Sequence, residues 1–170
     1  NHNMQDYSDP GYEYLGELLA SKGIILASVD ENFINSSWSD VFGGLKKEND
    51  ARGWLLLEHL KVWHTWNGNK ENVFFGKIDT SNLALIGHSR GGEAVAHAAM
   101  FNKLPFYPDD ATVKFDYNYN IKSIVAIAPS SSIKPSVFEA AVISALFVKT
   151  VPMKVSLIFK SISTVSVAPF

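Results

Sequence analysis

An apolar run, Leu83-Ala84-Leu85-Ile86, leads straight into Gly87-His88-Ser89-Arg90-Gly91-Gly92, and Glu93 to Met100 then reads as an alanine-rich helix. The form G-x-S-x-G between a buried strand and a helix is the nucleophile-elbow pattern, in which the serine sits in a strained tight turn with its Oγ exposed above the sheet edge. Side chains two residues before and two after that serine collide in such a turn, so the elbow glycines Gly87 and Gly91 carry none. Gly92 leaves room for the following helix to lie close to the strand. The backbone N–H of Arg90, in the first turn of that helix, points where an oxyanion develops. Background composition yields this five-residue form in roughly one chain in twenty of this length, so its weight comes from the strand before it and the helix after it. An ordinary glycine-rich turn with a solvent-facing serine is the alternative.

The chain that carries this turn has 170 residues, 46% of them hydrophobic and 12% aromatic, enough for one sizeable core and most simply one domain over 1–170. A net charge of −2 without long runs of either sign gives no reason to expect a nucleic-acid or polyanion partner. Cysteine is absent, so disulfides and thiolate metal sites are excluded, while the compartment stays unassigned. No run of 18 apolar residues exists to span a membrane. The opening residues Asn1 to Asp6 lack the charged start and apolar core of a signal peptide, and the chain begins without an initiator Met, as a segment of something longer would.

Hydrophobic spacing gives a coarse order of elements. Apolar positions 14, 15, 18 and 19 form a helical stripe from Tyr12 to Ser21, stopped by Gly23. Residues 24–29 read as a fully buried parallel-type strand. A loop over about 30–48 holds Phe33, Trp38 and Phe42, which either line a cleft at the strand's carboxyl end or anchor the loop in the core. Asp50 is the expected N-cap of a helix to Trp66, with 54–57, 60, 62 and 63 as its buried face and Asn67-Gly68-Asn69 as its stop. After the elbow helix, 104–110 reads as a loop and 121–128 as the next strand. The alternation argues an α/β fold with a parallel sheet. Residues 137–148 suggest a helix, 155–159 a strand, and 162–167 a strand or frayed end.

At the elbow, and at three stretches in matching order, the chain resembles the α/β-hydrolases. The stretches are Gly11-Tyr12-Glu13-Tyr14-Leu15-Gly16, then Leu19 to Gly23 running into Ser28-Val29-Asp30-Glu31-Asn32, then Ala51-Arg52 opening a long helix. The group concerned has the elbow G-H-S-R-G-G-E and includes enzymes similar to chlorophyllase, platelet-activating-factor acetylhydrolase and polyester-cleaving cutinases. The resemblance covers about 11–135 and leaves 136–170 as an atypical tail. It implies a three-layer α/β/α domain with a mainly parallel sheet, incomplete at both ends. It also implies a serine hydrolase that cleaves a small-molecule carboxylic ester through a Ser89 acyl-enzyme in the intact parent, with no cofactor and no metal. The N–H of Arg90 supplies half the oxyanion hole. The second donor comes, in similar proteins, from a loop after an earlier strand, which leaves Asn1 as its candidate.

A serine hydroxyl needs an adjacent base held by a third group, and in this fold the order is Ser…Asp/Glu…His. No histidine follows His97. His97 itself lies eight residues along the elbow helix, about 12 Å up its axis. The side chain of His88 diverges from that of Ser89, His59 and His64 belong to the earlier helix, and His2 is the loop histidine left as a candidate base. The triad acid is expected after the strand that follows Ala128; the corresponding strand, near 153–159, leads into Lys160-Ser161-Ile162-Ser163 without an acid. Asp116 precedes its strand, Asp109 and Asp110 read as turn residues, and Glu139 as helix surface. The Arg90 side chain is expected to pair with Glu93 or a nearby loop rather than with substrate. The alternative to a hydrolase is therefore a catalytically incomplete fragment or pseudoenzyme with a binding or structural role. A nucleotide-binding fold is disfavoured, since neither G-x-G-x-x-G nor G-x-x-x-x-G-K-[ST] occurs.

Overall fold

The structure, a computed structural model, describes residues 13–31, 34, 48–129 and the backbone of 155–162. The stripe at the start of the chain forms α1 (Glu13–Ala20), and Gly23 ends the turn after it in the left-handed conformation, φ 72°. That conformation costs an L side chain energy and glycine nothing. Strand β1 (Ile24–Val29) follows at once. It is half-buried along most of its length rather than fully buried, and only Val29 reaches the core.

Helix α2 (Glu48–Gly68) starts two residues before the expected cap. Asp50 therefore lies inside the first turn, and its carboxylate accepts a hydrogen bond from the Tyr107 hydroxyl at 2.7 Å instead of capping the helix. Leu56, Leu57 and Leu60 form its buried face, whereas Val62 faces outward. At its far end the Asn67 amide is a two-pronged clamp, donating to Ile78 O at 3.1 Å and accepting from Ile78 N at 3.0 Å. The clamp satisfies two backbone groups where β2 (Ile78–His88) begins. Early in β2 the register shifts between Asp79 and Leu83, where the Asp79 carboxylate accepts from Ser81 N and Asn82 Nδ2. Asp79-Thr80-Ser81-Asn82 thus forms an irregularity inside a longer strand.

After β2 comes α3 (Arg90–Phe101). It contributes Ala94, Val95, Ala98 and Phe101 to the core. Helices α2 and α3 approach closely at Gly53, where a Cβ would stand 2.7 Å from the His97 Cβ and 2.9 Å from Ala94 O. Residues 104–110, expected as loop, instead enter an antiparallel hairpin of β3 (Phe106–Tyr107) and β4 (Asp110–Lys114). Tyr107 of the hairpin and Phe115 just beyond it pack against Trp54 and Phe101 at ring separations of 5.2–5.9 Å. Asn102 ties α3 to this region by bonding both Tyr119 N and Tyr119 O. Strand β5 (Ile121–Ile127) follows.

The last described strand, β6 (Val155–Ile162), sets the sheet topology. The order is β1-β6-β2-β5, and β6 is parallel to both β1 and β2. The strand expected from composition at 155–159 is therefore inserted between β1 and β2. The main sheet is parallel throughout, with helices packed on it, so the α/β expectation holds at that level. No helix among the described residues is long and apolar enough to cross a membrane.

Candidate active site

Parallel strands deliver their carboxyl ends to one edge, and the register here aligns Val29, Ser161, Gly87 and Ala126 in one row across the sheet. Two residues past that row on β2 stands Ser89. Its backbone has φ 55° and ψ −122°. That conformation lies in the left-handed half of backbone space, outside the small well that L residues tolerate, and costs about 1–3 kcal/mol. Such strain persists only where the surroundings over-determine it. Here Ser89 N donates to Ile127 O at 2.9 Å, fixing the turn to β5, and Gly92 N donates to Ser89 O at 2.9 Å, starting α3.

The glycines are required by sterics. A Cβ on Gly87 would lie 1.9 Å from Gly91 O and 2.3 Å from Gly91 C, deep inside van der Waals contact. The chain doubles back so tightly that residue 87 touches residue 91. On Gly92 a Cβ would meet Pro129 Cα at 3.2 Å, so a side chain there would push α3 away from the exit of β5. Ser89 is partly exposed at this edge, and Arg90 opens the helix whose unpaired N-terminal N–H groups carry partial positive charge.

Charged side chains gather around the turn. The Arg90 guanidinium pairs with Glu48, at the end of the expected 30–48 loop and the first residue of α2, at 2.7 Å. Glu48 Oε1 also accepts from Arg52 Nε at 2.9 Å and from Arg52 Nη2, and Arg52 Nη1 reaches Glu31 Oε2 at 3.2 Å. Glu31 and Arg52 are wholly buried, and Glu48 is nearly so. Two cations and two carboxylates thus cancel in an interior that would reject any one of them alone. The sequence reading missed this quartet. The Glu48…Arg52 spacing of four on one helix was the available signal, whereas nothing local points from Glu48 to Arg90.

Among the described residues, no hydrogen bond joins Ser89 Oγ to a histidine. His97 lies away from Ser89: its Nδ1 is 2.6 Å from Asp50 Oδ1 but without hydrogen-bond geometry, its Nε2 is 3.9 Å from Glu93, and its ring edge meets Phe101. His59 and His64 lie partly buried on α2, and burial lowers the pKa of both imidazoles. His64 lies 4.7 Å from the Tyr119 ring. Asp116 is exposed and pairs with Lys61 at 3.7 Å, away from the elbow. Asn1, His2, Phe33, Trp38, Phe42, Glu139 and the expected helix at 137–148 lie outside the described residues. No group of three or more His, Asp or Glu side chains poised for a metal occurs among the described residues.

Comparison of the chain with protein-family models, with curated proteins and with solved structures found no match.

Proposed function

We propose that this chain carries the nucleophile of a serine hydrolase built on the three-layer α/β-hydrolase plan, acting on a small carboxylic ester. The observation that carries the reading is the backbone of Ser89, φ 55° at a strand-to-helix turn closed by contact between Gly87 and Gly91. That conformation costs a serine energy, and strain of this kind concentrates at reacting residues. In the reaction, Ser89 Oγ attacks the ester carbonyl carbon and gives its proton to a base. The Arg90 N–H donates to the oxyanion of the tetrahedral intermediate. The alkoxide leaves with that proton as the alcohol, and water then hydrolyses the acyl-enzyme to acid and serine. His2 is the candidate base and Asn1 the candidate second oxyanion donor.

A second reading, a binding or structural module without turnover, is favoured by the histidines. None follows His97 in the sequence, and the His97 imidazole lies beside Asp50 and Glu93, at 2.6 and 3.9 Å, with no hydrogen bond to Ser89. Loss of a triad member costs several orders of magnitude in rate.

Labelling of the purified chain with a fluorophosphonate, beside Ser89→Ala, separates the two. Labelling that disappears in Ser89→Ala shows an activated serine and makes His2→Ala the next variant. A folded chain that does not label assigns it to the second reading.

A further inference from the structure

Behind the turn, the quartet of Glu31, Glu48, Arg52 and Arg90 links three elements that converge at the carboxyl edge of the sheet. Glu31 follows β1 by two residues, Glu48 and Arg52 occupy the first turn and a half of α2, and Arg90 directly follows Ser89. From these contacts we infer that Glu48 and Arg52 are positioning residues for the elbow. They hold the Arg90 side chain so that its backbone N–H, and the strained Ser89 before it, keep one orientation. The inference rests on the reading of Ser89 as a nucleophile.

The geometry supports a positioning role over a purely stabilising one. A buried ion cluster is a poor source of stability, because desolvation of each charge offsets its pairing; well-packed apolar side chains do as well or better. What such a cluster supplies is direction. Arg52 is wholly buried and meets Glu48 through both Nε and Nη2, a planar fork on a single carboxylate oxygen, with Nη1 on Glu31. Glu48 is thereby fixed before Arg90 reaches it, and Arg90 at 2.7 Å is held in turn. Ser89 is tied through its backbone to Ile127 on one side, and Arg90 through its side chain to α2 on the other. A residue held at both ends in this way resists relaxation of its neighbour into an ordinary backbone well.

The test uses the full chain and two readouts. Amide hydrogen exchange at residues 89–93 reports on the elbow without any chemistry, and fluorophosphonate labelling, split into kinact and KI, reports on the nucleophile. Two variants are compared with the parent: Glu48→Gln, which keeps shape and removes charge, and Arg90→Gln. The Arg90 side chain is the most exposed of the four, and its loss leaves Glu48 paired with Arg52, so this variant keeps the test open if Glu48→Gln does not fold.

In both variants exchange at 89–93 is expected to quicken about tenfold or more while Ala98 to Phe101 stay protected. The rate kinact is expected to fall about ten- to a hundredfold at nearly constant KI. The double variant should lose no more than the worse single one, since both remove the same link. If the parent never labels yet elbow exchange still quickens, positioning stands and the nucleophile reading falls. Unchanged exchange at 89–93, or a change spread evenly over the whole molecule, overturns the inference.

Discussion

At Ser89 the conformational strain and the side chain make separable contributions, and substitution distinguishes them. A φ of 55° with ψ −122° costs serine or alanine about 1–3 kcal/mol, and glycine little. Glycine also widens the unfolded ensemble, at about 0.4–1 kcal/mol. The strain term is the larger, so Ser89→Gly is expected to be more stable than Ser89→Ala by about 1 kcal/mol, read from urea unfolding midpoints at equal slope. Equal midpoints would mean that the turn is relaxed. The residue-level features of the elbow were legible in the sequence because they are local. Gly87 must lack a side chain since residue 91 lies against it, and that follows from a five-residue pattern. The partner of Arg90 was legible only as Glu93 or some residue of a nearby loop: the Glu48 carboxylate that meets it comes from 42 residues earlier, where the expected loop ends and α2 begins.

Helix α2 shows how an element can be located correctly and still misassigned in detail. Its span follows from apolar spacing and a Gly stop, but its start depends on where Glu48 and Asp50 find partners. Arg52, Arg90, Tyr107 and His97 all lie against them, and the last three belong to other elements. The β3–β4 hairpin was missed for a related reason. Its strands are short and interrupted by Pro108-Asp109, and they are held by packing of Tyr107 and Phe115 on Trp54 and Phe101 rather than by an alternating pattern. The same helix carries a pH dependence. Burial lowers the pKa of His59 and His64 from 6.5, and His64 Nε2 is buried without a hydrogen bond among the described residues. The folded chain thus disfavours the imidazolium, and the unfolded chain binds more protons below pH 6.5. Stability is fully present above that pH and falls as pH drops through it. The urea midpoint is expected to be lower at pH 5.5 than at pH 7.5, and the difference to shrink in a His59→Leu, His64→Phe variant. A difference that persists unchanged in that variant would place the titration elsewhere.

On the scale of the whole molecule the decisive feature is that the last strand sits inside the sheet. The segment Val155-Ser156-Leu157-Ile158-Phe159 reads as a strand from composition alone, but its neighbours cannot be read that way. Consecutive strands are adjacent in about two-thirds of cases, but this strand is not beside β5. Instead Ile24 pairs with Ser156, and Leu83 with Leu157, so among the described residues β1 and β2 are bridged by a strand that comes more than a hundred residues after β1. Without β6, two parallel strands lose their shared partner and each exposes a row of unpaired backbone N–H and C=O groups. The separation also means that loop-closure entropy must be overcome before the central pairing contributes, which makes folding slow and dependent on the whole chain. A chain ending at residue 154 is therefore expected to lose its cooperative thermal transition and its near-ultraviolet circular dichroism, and to aggregate through the open strand edges. A sharp transition with the parent's near-ultraviolet spectrum in that shortened chain would show that β1 and β2 cohere without β6. The carboxyl edge that presents Ser89 would then be built by α2, α3 and β5 alone.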